Sequence, residues 1–215
     1  MTTTRGRLDK RSAILEAAGK VFTRQGYELA GVDAIAQLAG VAKPTVYNHF
    51  HDKETLFRTV MRDGAGRTAA RIIAALDTID DDADLAAELT RVAHLVIECQ
   101  LSDEGWALQR LLYAEAGRFA DLYDDVVSQG GVPVVNALAG RLARLANRGH
   151  LDIDDVMTAA SQFMALVAGD LPALSRLGTR PVPADELDRA VVAGVSTFLR
   201  AFAVSREARA GEGQV

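Results

Sequence analysis

The sequence contains a single cysteine, Cys99, in 215 residues, so no disulfide can form within the chain. Chains without disulfides are typical of the reducing cytoplasm, which is therefore the expected location. No apolar run approaches the roughly 18 residues that a membrane-spanning helix needs. No apolar stretch follows the basic residues near the N-terminus, so neither contact with a membrane nor a signal peptide is expected.

Patterns typical of catalysis and metal binding are also missing. The sequence has no cluster of Cys and His at ligand spacing, no phosphate-binding glycine loop and no nucleophile elbow. His49 and His51 are not expected to share a metal, because side chains two residues apart on a helix point in different directions. We therefore expect no catalytic residue, no metal and no cofactor, and we do not expect an enzyme.

Charge is distributed unevenly along the chain. The whole chain has 24 basic and 29 acidic residues, yet residues 1–62 contain ten Lys and Arg against six Asp and Glu. A basic N-terminal quarter attached to an acidic remainder favours contact of that quarter with a polyanion such as DNA. A chance distribution of charge explains the same numbers equally well.

Helical periodicity dominates, and no segment alternates polar and apolar residues as a strand does. This pattern predicts an all-α protein with about nine helices. Gly26 is expected to end the first helix, and Asp52 and Asp152 are expected to cap later helices. A kink or break is expected at Gly130–Pro133, because proline lacks the backbone donor that a continuous helix requires.

Residues 32–50 have the pattern of two short helices joined by a tight turn. Gly40 permits a positive φ at the turn, Val41 can fill the angle between the helices, and Pro44 fits the first turn of the second helix. Val46 and Phe50, four residues apart, are expected to face inward. The side chains then left on the outer face of the second helix are those of Lys43, Thr45, Asn48 and His49.

This outer face suits the major groove of double-stranded DNA, which accommodates a helix and presents base edges to such donors and acceptors. Tyr47 and Lys53 lie at the far end, where they are expected to contact phosphates. The alternative is a solvated polar face on a small helical hairpin. The predicted DNA-binding residues are Lys43, Thr45, Tyr47, Asn48, His49 and Lys53.

Residues 8–62 resemble the signature of the TetR family of transcriptional regulators. The matching segments are Gly26-Tyr27, Ile35–Val41, Tyr47–Phe50 and Lys53–Leu56. The resemblance implies an N-terminal three-helix helix-turn-helix domain that binds DNA through the residues named above, followed by a helical ligand-binding and dimerisation domain. Gly31 and Ala42 depart from the family, which often has a capping Ser or Thr at these positions, so hydroxyl–phosphate contacts are in doubt. Asp33 could compensate for Gly31.

The rest of the chain resembles the AefR-like type of TetR C-terminal domain, through residues 110–122, 148–151 and 154–155. The resemblance implies a homodimer formed by the last two helices. Apolar stripes on residues 156–167 and 187–202 suit such an interface, although burial within one subunit also explains them. The predicted domains are a DNA-binding domain at 1–52, a regulatory and dimerisation domain at 53–205, and a flexible tail at 206–215.

The resemblance also implies a repressor that binds a palindromic operator as a dimer and is released by an unknown small-molecule effector. The alternatives are an activator, or a protein-binding partner that needs no effector. A ligand pocket is expected among the helices after residue 60, although plain core packing is the alternative role for each candidate. The candidate wall residues are Met61, His94, Cys99, Trp106, Arg110, Tyr113, Phe119, Tyr123 and Phe163.

Overall fold

The computed structural model describes residues 4–80 and 83–204, and the predicted tail at 206–215 lies outside these residues. The all-α prediction is confirmed. The described residues form eleven helices: α1 (Thr4–Leu29), α2 (Val32–Leu38), α3 (Lys43–Phe50), α4 (Lys53–Leu76), α5 (Leu85–Leu101), α6 (Asp103–Glu115), α7 (Leu122–Gln129), α8 (Gly131–Asn147), α9 (Val156–Ala168), α10 (Leu171–Leu174) and α11 (Ala184–Phe202). The predicted number of about nine is reached when α7 and α8 count as one interrupted helix and the four-residue α10 is left out.

The helices pack into two compact units. The first contains the described residues up to Arg67 together with Glu104–Gly130, and the second contains Thr68–Asp103 and the described residues from Gly131 onward. The first unit is thus larger than the predicted DNA-binding domain at 1–52, because α6 and α7 pack with the N-terminal helices. The division into domains at 1–52 and 53–205 stays a prediction.

The core of the first unit is built from the apolar faces of α1, α4 and α6, with Phe22 and Phe57 fully buried. Their rings meet edge to face at 5.1 Å, the geometry that aromatic quadrupoles favour. Gly26, predicted to end the first helix, has a non-helical φ of 73° and kinks α1, which then continues to Leu29. Only glycine adopts this φ without strain, and Tyr27 then packs against Phe57 at 4.9 Å.

The interruption between α7 and α8 is also confirmed. Gly130 separates the two helices, and Pro133 lies in the first turn of α8, where its missing N–H needs no acceptor. Asp152, however, caps no helix, so that prediction was wrong. Its backbone N–H donates to the carbonyl of Phe202 at 2.7 Å, and the carboxylate of Asp155 caps α9 instead, accepting from the N–H groups of Met157 and Thr158.

The second unit is a bundle in which α9 packs between α8 and α11, and α5 packs against α11. Phe163 of α9 and Phe198 of α11 are fully buried and meet edge to face at 5.2 Å. Gly194 of α11 lies against the backbone of α9, since a Cβ built on it would be 2.5 Å from the carbonyl oxygen of Leu166. Glycine therefore sets the close spacing of these two helices.

Extended pairing is minimal in the described part of the chain, where one isolated antiparallel bridge joins Leu151 to Ala203. None of the described helices is long and apolar enough to cross a membrane.

Candidate DNA-binding site

The turn between α2 and α3 is fixed by hydrogen bonds that close the end of α2. Gly40 has a φ of 67°, its N–H donates to Gln37 at 3.2 Å, and the N–H of Val41 donates to Ala36 at 3.0 Å. These are the two bonds of a Schellman motif, which needs a left-handed residue at the position of Gly40. Val41 packs against the core of the first unit, so α2 and α3 form a helix-turn-helix as predicted.

Helix α3 has a buried face and a polar face. Val46 and Phe50 are buried, and the guanidinium of Arg11 lies 5.4 Å from the centre of the Phe50 ring. Among the predicted DNA-binding residues, Lys43, Tyr47 and Asn48 are exposed, whereas Thr45, His49 and Lys53 are half-buried.

Neither α2 nor α3 has a side-chain cap. Gly31 and Ala42 occupy the N-cap positions, and neither accepts a backbone N–H through its side chain. Asp33 lies in the first turn of α2 but forms no side-chain cap, and its carboxylate accepts a hydrogen bond from the ammonium of Lys43 at 2.9 Å. This hydrogen bond and the negative charge of Asp33 raise the pKa of Lys43 above its usual value. Compensation for Gly31 by the charge of Asp33 stays a prediction.

Lys53, a predicted phosphate contact, has partners within the protein. Its ammonium donates to the carbonyl oxygen of Glu28 at 3.0 Å and lies 4.6 Å from the centre of the Tyr27 ring. Asp52 caps α4, as predicted, by accepting from the N–H of Thr55 at 2.6 Å. That bond lowers the pKa of the Asp52 carboxyl group.

The junction between α6 and α7 contacts the end of α1 within the first unit. The ring of Phe119 meets that of Tyr27 edge to face at 5.0 Å, and the N–H of Tyr27 donates to the carboxylate of Glu115 at 3.2 Å. Arg118 pairs with Glu28, and its guanidinium lies 5.1 Å from the Tyr27 ring centre. The junction thereby holds the segment that leads from α1 into the helix-turn-helix.

Charged side chains join the same junction to α4. Arg58 donates two hydrogen bonds to the carboxylate of Asp121, at 2.9 and 3.0 Å, and Arg62 pairs with Asp125 at 2.6 Å. The hydrogen bonds from Arg58 lower the pKa of Asp121. None of these pairs is apparent from the sequence, because the partners are more than 60 residues apart.

The nine candidate pocket residues are divided between the two units. Met61, Trp106 and Phe119 are buried in the first unit, where Arg110, Tyr113 and Tyr123 are exposed. In the second unit Cys99 and Phe163 are buried, and His94 is half-buried with its Nε2 2.8 Å from Asp188. The pocket stays a prediction. Among the described residues, no group of three or more His, Cys, Asp or Glu is arranged to hold a metal ion.

Two family models match the chain. Residues 14–60 match the model described as bacterial regulatory proteins, tetR family. Residues 87–204, more than half of the chain, match the model described as AefR-like transcriptional repressor, C-terminal domain.

Two solved structures resemble nearly the whole chain. A TetR-family transcriptional regulator from Mesorhizobium loti is 29% identical with a TM-score of 0.85, and the alignment covers 92% of this chain and 98% of that one. The flavonoid-responsive regulator FrrA is 30% identical with a TM-score of 0.74, over 90% of this chain and 97% of FrrA.

The match to curated relatives is shorter. The transcriptional activator FasR of Mycolicibacterium smegmatis is 38% identical over 74 residues, which are 34% of each chain. The chain spans about a third of the length of the curated relatives it matches. Together with the helix-turn-helix and the two family matches, these likenesses show that the chain belongs to the TetR family of DNA-binding transcriptional regulators, which are not enzymes, and that it has an AefR-like C-terminal domain.

Proposed function

We propose that this chain acts in the cytoplasm as a homodimeric repressor that binds a palindromic DNA operator through α3. The observation that carries the proposal is the exposure of Lys43, Tyr47 and Asn48 on α3, a helix whose Val46 and Phe50 are buried. A helix with such a face enters the major groove, and its donors and acceptors distinguish the base pairs there.

The dimer interface that we propose is the outer face of α9 and α11. Leu166 of α9 and Val192 of α11 are 41% and 55% exposed, although both are large and apolar. Ala165 and Ala193 beside them are also exposed, and small residues allow helices of two subunits to approach closely. In a symmetric dimer the same face serves both partners, and two copies of α3 about 34–36 Å apart would meet successive turns of a palindrome.

Asn48→Ala is the variant that tests operator recognition. It is expected to weaken binding to the operator by about 1–3 kcal/mol and to relax the preference at one base position, because asparagine makes paired hydrogen bonds to an adenine edge. The operator is first selected from genomic fragments by the wild-type protein and mapped by footprinting. Affinities of wild type and variant are then compared at one salt concentration.

Asn136→Ala supplies the matched control, since Asn136 is exposed on α8 in the second unit. Its affinity for the selected fragment should equal that of the wild type. If no fragment shows a palindromic footprint, the chain is not an operator-binding dimer, and a role as a protein-binding partner gains support. If the two variants bind alike, the groove-facing role of Asn48 is wrong.

Repression is proposed because the matched C-terminal model is described as that of a transcriptional repressor. Activation is the second candidate, since FasR is an activator. A reporter gene under the selected fragment separates the two, because its output should fall when the chain is expressed if the chain represses, and rise if it activates.

The release of DNA by a small-molecule effector is also proposed, and the similarity to FrrA, a flavonoid-responsive regulator by name, supports it. The contacts of Glu115, Arg118 and Phe119 with the end of α1 offer a route from the α6–α7 junction to the DNA-binding helices. A ligand acts this way only if it prefers one arrangement of the junction over another.

A flavonoid aglycone is the first probe. Binding measured by calorimetry should be accompanied by a loss of operator affinity at fixed salt, and reciprocity requires that operator DNA weaken flavonoid binding by the same factor. Tight binding that leaves operator affinity unchanged would contradict release by this ligand. An absence of binding would exclude flavonoid aglycones as the effector class.

A further inference from the structure

The helix-turn-helix carries one cation and one anion, and they are paired with each other. Between Val32 and Phe50 the charged side chains, with histidine neutral, are those of Asp33 and Lys43. Asp33 belongs to α2 and Lys43 begins α3, so the 2.9 Å contact between them bridges the two helices. Both side chains are exposed, Asp33 by 77% and Lys43 by 46%, so the pair lies on the solvent-facing surface of the motif.

We propose that Asp33 is a specificity-determining residue, whose carboxylate holds the ammonium of Lys43 and cancels its charge, so that the helix-turn-helix discriminates by base edges and gains little from phosphates. The inference rests on the proposed binding of operator DNA through α3.

The physical reason is that binding to DNA of any sequence is driven largely by the release of counterions. Cations that neutralise phosphates release bound counterions, and this gain does not depend on sequence. Asp33 and Lys43 are much closer together than the Debye length of about 8 Å at physiological salt, so a phosphate meets the pair as a nearly neutral group. If Lys43 turned to a phosphate, Asp33 would be left unpaired beside a polyanion.

Other polar side chains on α3 suit the reading of base edges and do not neutralise phosphates. Thr45 and Asn48 are uncharged, so they add hydrogen bonds at the right base edges without raising affinity for every phosphate. The pair itself contributes little to folding, since exposed salt bridges add little to stability. Its effect is therefore expected in DNA binding and not in stability.

Asp33→Asn tests the inference because asparagine keeps the shape of the side chain and removes its charge. The full-length variant is compared with wild type on the selected operator fragment and on a scrambled duplex of equal length, over a range of salt concentrations. Freeing one cation should steepen the salt dependence for the scrambled duplex by about one unit. It should also raise affinity for that duplex by up to about eightfold at about 0.1 M salt, so that the preference for the operator falls.

Two controls separate this mechanism from others. Asp185→Asn removes an equally exposed carboxylate that pairs with Arg189 at 2.8 Å in the second unit, and it should leave both affinities unchanged. In a Lys43→Gln background, Asp33→Asn should give a smaller gain on the scrambled duplex, because the cation that it frees is absent and only the repulsion between Asp33 and phosphates is removed.

The results that would overturn the inference can be distinguished from one another. Equal gains from Asp33→Asn and Asp185→Asn would show an effect of net charge alone and overturn the inference. If Asp33→Asn loses affinity for the operator alone, Asp33 itself contacts a base, and this result also overturns the inference. If the wild type does not distinguish the two duplexes, the proposed function fails and the inference with it. A discriminating wild type with an unresponsive Asp33→Asn variant refutes the inference alone.

Discussion

Replacing Phe119 with alanine is expected to lower the free energy of unfolding by about 3–5 kcal/mol, the usual cost of removing a buried aromatic ring. Phe119 is 7% exposed and belongs to the core of the first unit. Its ring meets Tyr27 at 5.0 Å and Phe57 at 5.5 Å, and the guanidinium of Arg58 lies 5.2 Å from its centre. The alanine variant loses all of these contacts at once and leaves a cavity that the surrounding helices cannot fully close.

The same variant should also bind operator DNA more weakly than its stability alone explains, because the α6–α7 junction would no longer hold Tyr27 at the end of α1. Urea unfolding followed by circular dichroism gives the free energy, and operator binding is measured well below the unfolding transition. Phe119→Leu is the matched control and should cost less than about 1.5 kcal/mol, since it preserves most of the apolar volume.

A loss of less than 1 kcal/mol in Phe119→Ala would mean that this ring is not a core residue. Its predicted role in a pocket wall would then be favoured, and the variant should change ligand affinity in place of stability. The sequence left two roles open for Phe119, core packing and a pocket wall, and the variants Phe119→Ala and Phe119→Leu distinguish them.

The helix-turn-helix was predictable because its determinants are local. Gly40 supplies the left-handed residue of the turn, Pro44 fits the start of α3, and Val46 and Phe50 fall on one face at helical spacing. Each of these features acts within a few residues along the chain, so the sequence displays them directly. The absence of a capping side chain at Gly31 and Ala42 was predictable for the same reason.

The contacts that surround the motif were not predictable, because they join distant residues. Nothing in the sequence pairs Arg118 with Glu28, or Arg58 with Asp121. The partner of Asp33 was also not predictable, although it lies only ten residues away. The position of Asp33 in the first turn of α2 suggested a cap, but its carboxylate pairs with Lys43 on the next helix. Met61 is 1% exposed within the core of the first unit, and its place in a pocket wall stays a prediction.

Gly194→Ala is expected to destabilise the protein, because the new Cβ would lie 2.5 Å from the carbonyl oxygen and 2.9 Å from the carbonyl carbon of Leu166. These atoms belong to the backbone of α9, so no side chain can rotate away and the helices must separate. Separation disturbs the edge-to-face contact between Phe163 and Phe198. Overpacking of this kind costs about 3 kcal/mol at the upper end of its usual range, and thermal unfolding should show a clear fall in Tm.

Gly140→Ala is the same chemical change at a helical position where, beyond the local backbone of α8, no atom lies within 4 Å of the added Cβ. It should stabilise the protein by about 0.5–1 kcal/mol through the higher helix propensity of alanine, so the two variants should shift Tm in opposite directions.

Because α9 and α11 also form the proposed dimer interface, Gly194→Ala should lower the fraction of dimer in sedimentation measurements, and Gly140→Ala should not. If both variants raise Tm, α9 and α11 do not approach as closely as the structure shows. If Gly194→Ala lowers Tm without any loss of dimer, the dimer does not depend on the close spacing of α9 and α11.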